Sequence, residues 1–226
     1  MTIPRRRQSR WLWGLLILAL VVVVGRTVLQ TIGQRRGAPS PARLRQRFQR
    51  ALQQDNAQLP VYGEVPDFAL VDQRGQPVTR HDLLGHVWIA DFIFTRCAGQ
   101  CPMMTAQMAE LARQLPSEAR FVSLSVDPTH DAPNVLADYA ASHGALSEQW
   151  RFVTGSPEAI YRLSTKGFHL SVEPQGGTAA EPIIHSARFV LVDQTGRIRG
   201  YYDGTDAEAV SRLLMDATAL VRATAS

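Results

Sequence analysis

The chain has 226 residues, enough for one domain of ordinary size and an additional N-terminal segment. Its formal net charge of +4 conceals two unlike parts, because residues 1–50 contain eleven arginines and no acidic residue, which leaves 13 basic and 20 acidic side chains in the remainder. The high isoelectric point therefore belongs to the N-terminal segment, and the composition argues against nucleic-acid binding.

The N-terminal segment predicts a membrane anchor. Residues 1–10 are basic and precede a fourteen-residue apolar run over 11–24, and the apolar pattern resumes after Arg26, so residues 11–29 can just span a bilayer if Arg26 reaches outward. A secretory signal has a core of similar length, but no Ala-x-Ala cleavage pattern follows, which favours an uncleaved anchor. The basic residues predict a cytoplasmic N-terminus, with the C-terminal domain on the periplasmic side of the cytoplasmic (inner) membrane.

Residues 30–59 predict a linker. Glycine and proline between positions 37 and 41 break any helix, and the Arg/Gln-rich stretch that follows fits either a short amphipathic helix near the membrane or a solvated tether. The folded domain is expected to cover residues 60–222.

Alternating strands and helices predict an α/β fold with a mixed, mainly parallel sheet. Phe68–Asp72 and Phe189–Asp193 each read as a strand that enters an Asp-x-x-Gly turn and opens a hairpin. Residues 173–182 predict an exposed, mobile loop. The remaining predicted elements are strands over 87–94, 120–126 and 151–154, and helices over 103–115, over 134–143 and after a Ser156 cap.

The only two cysteines, Cys97 and Cys101, stand where the apolar run over 87–94 meets the start of a predicted helix. If both lie in the first helical turn, their sulfurs share one face. The helix N-terminus and Arg96 are expected to favour the thiolate forms. Such a pair can hold a soft ion such as Cu(I), close as a disulfide, or alternate between these states. A structural disulfide is the weaker alternative, because so short a loop gives little stabilisation.

His185 is the candidate third ligand, because it heads the strand that enters the final hairpin. If that strand runs antiparallel to residues 87–94, His185 faces the cysteines, and imidazole with two thiolates makes a three-coordinate site suited to copper. Asp127 ends an inner strand and is expected on the same rim, either beside the ligands or as a turn residue. The methionines at 103, 104 and 108 are expected to pack in the core.

These residues resemble the Sco/SenC family, which are membrane-anchored copper chaperones with a thioredoxin fold that serve cytochrome c oxidase. The resemblance is carried by Phe94-Thr95-x-Cys97-x-x-x-Cys101-Pro102, by Ser125-Val126-Asp127-Pro128, and by His185-Ser186 with Val192-Asp193-x-x-Gly196.

The resemblance implies a thioredoxin-like fold over residues 60–222 that binds copper, as Cu(I) or Cu(II), through Cys97, Cys101 and His185. It also implies delivery of copper to the binuclear copper site of oxidase subunit II, or reduction of the thiols of that site, with a thiol reductant protein as a further partner. The chain departs from the family pattern at Ala98, where proline is usual, and at Ile184, where an acid is frequent.

A metallochaperone is the leading hypothesis. The alternative is a thiol–disulfide oxidoreductase in which Cys97 and Cys101 form a redox pair without metal. The three residues between the cysteines argue mildly against it, since the usual redox signature is Cys-x-x-Cys. A peroxidase is a weaker variant of the same idea, and a copper or redox sensor ranks last because no output domain accompanies the predicted fold.

Overall fold

The computed structural model describes residues 59–145, 148–173, 176–177 and 183–224. The predicted basic segment, the anchor over 11–29 and nearly all of the linker lie outside these residues, as does most of the predicted loop over 173–182. Among the residues that are described, no helix is both long enough and apolar enough to cross a membrane.

The described residues form ten strands and four α-helices. In chain order they are β1 (Gly63–Glu64), β2 (Ala69–Asp72), β3 (Pro77–Thr79), β4 (Trp88–Ile93), α1 (Gln100–Gln114), β5 (Arg120–Ser125), α2 (Pro133–Ser142), β6 (Trp150–Thr154), α3 (Pro157–Arg162), β7 (Val172–Glu173), β8 (Ile184–His185), β9 (Arg188–Val192), β10 (Arg197–Asp203) and α4 (Ala207–Thr224).

Eight strands form one mixed sheet in the order β1-β10-β9-β4-β5-β6-β2-β3, and β7 pairs with β8 in a separate two-stranded sheet. The pairs β4–β5 and β5–β6 are parallel, whereas β9 runs antiparallel to β4 with Trp88 opposite Val192. The other strand pairs of this sheet are antiparallel, so the sheet is mixed as predicted, but the prediction that it is mainly parallel is wrong. Every residue of β4 is buried, as the apolar run predicts for a central strand. Because β9 runs antiparallel to β4, the chain enters β9 at the edge of the sheet where β4 ends.

Both predicted hairpins are confirmed. Gly75 and Gly196 adopt φ values of 73° and 84°, and the amide of each donates a 2.9 Å hydrogen bond to the carbonyl of the aspartate three residues earlier. Glycine is required at these positions because a side chain strains a left-handed backbone. The Ser156 cap is also confirmed, because its hydroxyl accepts a 3.2 Å bond from the amide of Ala159.

Helix α1 begins at Gln100, so its first turn contains Cys101 but not Cys97. The condition that both cysteines lie in the first turn is therefore not met. Cys97 lies in the preceding turn, where its amide donates a 3.2 Å bond to the carbonyl of Phe94. Met104 and Met108 face the core with 0% exposure, as predicted, but Met103 is 45% exposed because it lies on the opposite face of the helix.

Candidate metal centre

Cys97, Cys101 and His185 converge at one edge of the sheet. Their two sulfurs and one imidazole nitrogen all lie within 4.8 Å of one another, and Sγ of Cys101 is 3.3 Å from Nε2 of His185. The predicted juxtaposition is therefore present. The cysteines follow β4, and His185 lies in β8, three positions before the first residue of β9, where Val172 of β7 pairs with it.

Local contacts orient each of the three side chains. Sγ of Cys97 accepts a 3.4 Å hydrogen bond from the amide of Cys101, one of the free N–H groups at the start of α1. The imidazole of His185 meets the ring of Phe94 edge-on, with centroids 5.7 Å apart. Its Nδ1 is 3.1 Å from the carbonyl oxygen of Ser186, so a proton on Nδ1 is donated there and Nε2 keeps its lone pair toward Cys101.

The three side chains are almost fully buried, at 7% exposure for Cys97, 0% for Cys101 and 7% for His185, and both cysteines are free thiols. Burial raises the pKa of the Cys101 thiol far above its ordinary value, and the neighbouring Cys97 raises it further. The expectation of a favoured thiolate is therefore wrong for Cys101, because burial disfavours its charged form. A thiol of this kind gives up its proton when a metal cation takes the proton's place.

Arg96 directs its charge toward Asp127. Nε of Arg96 lies 3.1 Å from Oδ2 of Asp127, at the carboxyl end of β5, and Oδ1 of the same carboxylate accepts a 3.1 Å bond from Thr129. The carbonyl of Asp127 also accepts the amides of His130 and Asp131. Asp127 is thus a turn residue that holds the loop of Cys97 through its neighbour Arg96.

Asp131, which the sequence reasoning missed, fixes the Cys97 loop to β5. This carboxylate has 0% exposure and accepts hydrogen bonds from the amide of Thr95 at 3.1 Å, from the hydroxyl of Thr95 at 2.6 Å and from Ser125 at 2.5 Å. Thr95 stands two positions before Cys97, so the network limits where that sulfur can lie. The available signal was a second acid in the turn that begins at Asp127, but its burial depends on the tertiary structure.

Asp91 is a second missed acid, within β4. Its side chain is fully buried, and among the described residues neither carboxylate oxygen has a hydrogen-bond partner of normal length. Burial raises the pKa of Asp91 to about 7, although the nearby hydroxyl of Ser123 opposes the rise. The charge of Asp91 in turn helps to raise the pKa of Cys101. A lone acid inside the apolar run was the signal that could have identified it.

Comparison with known proteins gives one family. The family model described as SCO1/SenC matches residues 57–220. The SCO1 protein homolog of Bacillus subtilis (strain 168) is 35% identical over 161 residues, which cover 70% of this chain and 82% of that relative.

Solved structures share the fold. One is BsSco, a member of the Sco family of cytochrome c oxidase assembly proteins, in which a disulfide switch was identified. Its structure is 33% identical in sequence and has a TM-score of 0.60, and the match covers 70% of this chain and 95% of the BsSco chain. The structure of Bradyrhizobium japonicum ScoI, which has copper bound, has a TM-score of 0.57 at 24% identity and covers 66% of this chain and 97% of its own. The predicted thioredoxin-like α/β fold is confirmed by these likenesses.

Proposed function

Since this chain belongs to the SCO1/SenC family, we propose that it is a membrane-anchored metallochaperone that binds copper through Cys97, Cys101 and His185. The observation that carries the proposal is the convergence of two sulfurs and one imidazole nitrogen within 4.8 Å in a buried site. Thiolate and imidazole donors are soft enough to select copper, and three of them satisfy Cu(I). The copper held by ScoI, a protein of the same fold, agrees with this assignment.

Copper is the ion that this site carries and passes on. The ligand residues balance its charge and allow its release. Loading displaces the protons of Cys97 and Cys101, and the resulting thiolates neutralise the cation while His185 ligates as a neutral imidazole. His185 belongs to the two-residue strand β8, which pairs with β7 outside the main sheet. His185 can therefore leave the metal without disturbing the main sheet, which opens a position for an incoming ligand.

The proposed setting follows from the N-terminal sequence and the family. Residues 11–29 anchor the chain in the cytoplasmic membrane, and residues 60–222 face the periplasm. The proposed recipient is the binuclear copper site of cytochrome c oxidase subunit II, in keeping with the assembly role stated for the family of BsSco. A thiol reductant protein keeps Cys97 and Cys101 reduced in that oxidising compartment.

Alkaline phosphatase fusions test the topology. The enzyme, used without its own signal, folds only where disulfides form, so a fusion after residue 60 is expected to be active and a fusion placed ahead of residue 1 inactive. The reverse pattern would overturn the proposed orientation.

Copper titration of the purified, reduced full chain without air tests the metal site. Wild type is expected to bind one Cu(I), and Cys97→Ser, Cys101→Ser and His185→Ala are each expected to weaken binding by tenfold or more while circular dichroism stays unchanged. His81→Ala is the matched control because His81 is exposed on the short turn after β3. Unchanged stoichiometry and affinity in His185→Ala would contradict the proposal.

A thiol–disulfide oxidoreductase is the second candidate, favoured by the proximity of two free thiols and by the disulfide switch of BsSco. In this reaction Cys97 and Cys101 lose two electrons and two protons and form a disulfide, and a target disulfide gains them and becomes two thiols. Equal rates of target reduction by metal-free wild type and His185→Ala, together with no copper binding by wild type, would favour this candidate over the chaperone.

A further inference from the structure

A cleft lies directly beside the metal centre. It has a volume of about 550 Å³ and is lined by Tyr62, His169, Leu170, Ser171, Ser186, Arg188 and Tyr201. Ser186 joins the two sites, because it follows His185 and its carbonyl lies 3.1 Å from Nδ1 of that residue. None of the lining residues is acidic, and six of the seven carry a polar or cationic group, so the cleft offers hydrogen-bond donors and positive charge.

Arg188 is the cation of this cleft. It is exposed, and within the described part of the chain it forms no ion pair within 4 Å and no side-chain hydrogen bond, although its charge helps to lower the pKa of Asp203. The carboxylate opposite it in the β9–β10 register belongs to Asp203, whose Oδ1 accepts the amide of Thr205 at 2.8 Å and its hydroxyl at 2.6 Å. Because Arg188 makes no direct contact with Asp203, its guanidinium N–H groups can bind an external carboxylate through two parallel hydrogen bonds.

His169 also lines the cleft and has an unusual backbone conformation. Its φ of 54° makes it the one non-glycine residue with a left-handed backbone in the part of the chain that the structure describes. Its imidazole packs against Gly63 of β1, where Nε2 lies 3.4 Å from the position that a Cβ would occupy. The lack of a side chain at Gly63 therefore leaves room for the imidazole. Backbone strain of this kind is concentrated at functional sites.

Two tyrosines supply the apolar wall. Tyr62 is 54% exposed, and its ring meets that of Tyr201 edge-on with centroids 5.4 Å apart. Exposed tyrosine next to arginine is the composition that protein interfaces favour, because both side chains combine apolar contact with hydrogen bonding.

We propose that this cleft binds an acidic segment of the partner polypeptide that exchanges copper with the chain, a proposal that rests on the function given above. A carboxylate of the segment pairs with Arg188 and His169, and an adjacent apolar side chain packs on Tyr62 and Tyr201. Because Ser186 lines the cleft and follows His185 in the chain, the next residues of the bound partner segment lie beside His185. The cleft thereby positions the partner's own ligands at the metal.

The geometry favours a polypeptide segment over a small metabolite. The volume suits about two or three residues, and His169, Ser171 and Arg188 are all exposed, so the cleft is an open groove. Sites for small molecules usually bury most of the ligand surface. The chain's own residues 30–58 are a poor occupant, because they contain six arginines and a single acid and would repel Arg188.

Fluorescence anisotropy with two labelled peptides tests the proposal on the metal-free full chain in detergent. The acidic probe is Gly-Asp-Glu-Phe-Glu-Asp, and the matched basic probe replaces each acid by lysine. The acidic probe is expected to bind wild type at least tenfold more tightly than the basic probe. Arg188→Glu is expected to weaken the acidic probe tenfold or more, and Tyr62→Ala severalfold.

Arg212→Glu is the matched control, since Arg212 is an exposed arginine on α4 whose ion-pair partner is Glu208, and it should change the affinity less than twofold. Equal affinity of Arg188→Glu and wild type would overturn the proposal, as would equal binding of the two probes. Displacement of the acidic probe by free glutarate at the probe's own dissociation constant would also overturn it, because the cleft would then be a small-anion site. Copper titration of wild type, run in parallel, separates failure of the cleft from failure of the metal site.

Discussion

The buried carboxyl group of Asp91 predicts a stability that depends on pH. Its pKa is about 7 in the folded chain, above the ordinary 3.8, so the folded state holds a proton that the unfolded state releases. The stability associated with this proton is complete below the unfolded pKa and is lost as the pH rises through about 7. The free energy of unfolding should therefore fall between pH 4 and pH 8 by up to roughly 4 kcal/mol.

Asp91→Asn should remove most of this slope, because the amide does not titrate. Urea unfolding at several pH values measures the effect, with Asp138→Asn as the control at an exposed position of α2. A slope that persists in Asp91→Asn and matches that of the control would show that other groups cause the pH dependence.

Asp131 predicts a link between the Cys97 loop and copper affinity. Asp131→Asn removes the charge that accepts three hydrogen bonds from Thr95 and Ser125, so we expect a loss of about 1–3 kcal/mol in stability. The loosened loop should also weaken Cu(I) binding by roughly tenfold, as is common when the support of a metal ligand is removed.

Thr95→Val provides a graded comparison for Asp131→Asn. It deletes the hydroxyl but keeps the amide that donates to Asp131, so its effect on copper affinity should be smaller. Wild-type affinity in Asp131→Asn, measured by competition with a Cu(I) chelator, would show that the loop does not depend on this carboxylate.

Sequence reasoning at the residue scale identified the three proposed ligands but not the acids that support them. Cys97, Cys101 and His185 could be identified from the sequence because each lies next to the end of a predicted strand. Topology rules then predict which strand ends meet at the same side of the sheet. The signals for Asp91 and Asp131 were weaker, a lone acid in an apolar run and a second acid in a turn, because a carboxylate is normally exposed and only the tertiary structure shows that these two are buried. The same limit explains the incorrect prediction for the thiol of Cys101.

At the element scale, short sequence patterns were sufficient to predict the hairpins and the longer strands, but not the two-residue strand β8. The Asp-x-x-Gly turns and the apolar run of β4 are encoded within a few residues, and all are confirmed. Strand β8 has two residues and pairs with the distant β7, so no periodicity could reveal it. The start of α1 was placed three residues late, because Pro102 lies within the first turn, where proline is tolerated.

The two glycine turns give a paired prediction about the hairpins. Gly75→Ala and Gly196→Ala both force a side chain into a left-handed backbone and should each destabilise the fold by about 1 kcal/mol. Gly196→Ala should lose more stability, because its Cβ would lie 2.7 Å from the guanidinium of Arg80, whereas nothing lies within 4 Å at Gly75. Thermal unfolding of both variants measures the difference, and equal losses would show that Arg80 moves aside freely.

At the scale of the whole molecule, the proposed ligands come from separate parts of the fold. Cys97 lies in the loop after β4, Cys101 in α1 and His185 in β8, so one copper ion would join the centre of the main sheet to the small β7–β8 sheet. A ligand that binds only the folded state stabilises it by an amount that grows with the logarithm of the ligand concentration relative to its dissociation constant. Bound copper should therefore stabilise the whole folded domain, and this stabilisation should be visible in the global unfolding transition.

Cu(I) at a thousandfold excess over its dissociation constant should raise the free energy of unfolding by about 4 kcal/mol and the melting temperature accordingly. Calorimetry of the reduced chain with and without Cu(I) measures the shift, and a chelator should reverse it. Cys101→Ser should show a smaller shift at the same Cu(I) concentration, reduced by about 1.4 kcal/mol for each tenfold loss of affinity, because it lacks one ligand. Oxidation that joins Cys97 to Cys101 should abolish the shift in wild type, since a disulfide offers no thiolate, and reduction should restore it. An equal shift in Cys101→Ser would mean that copper stabilises the chain from another site.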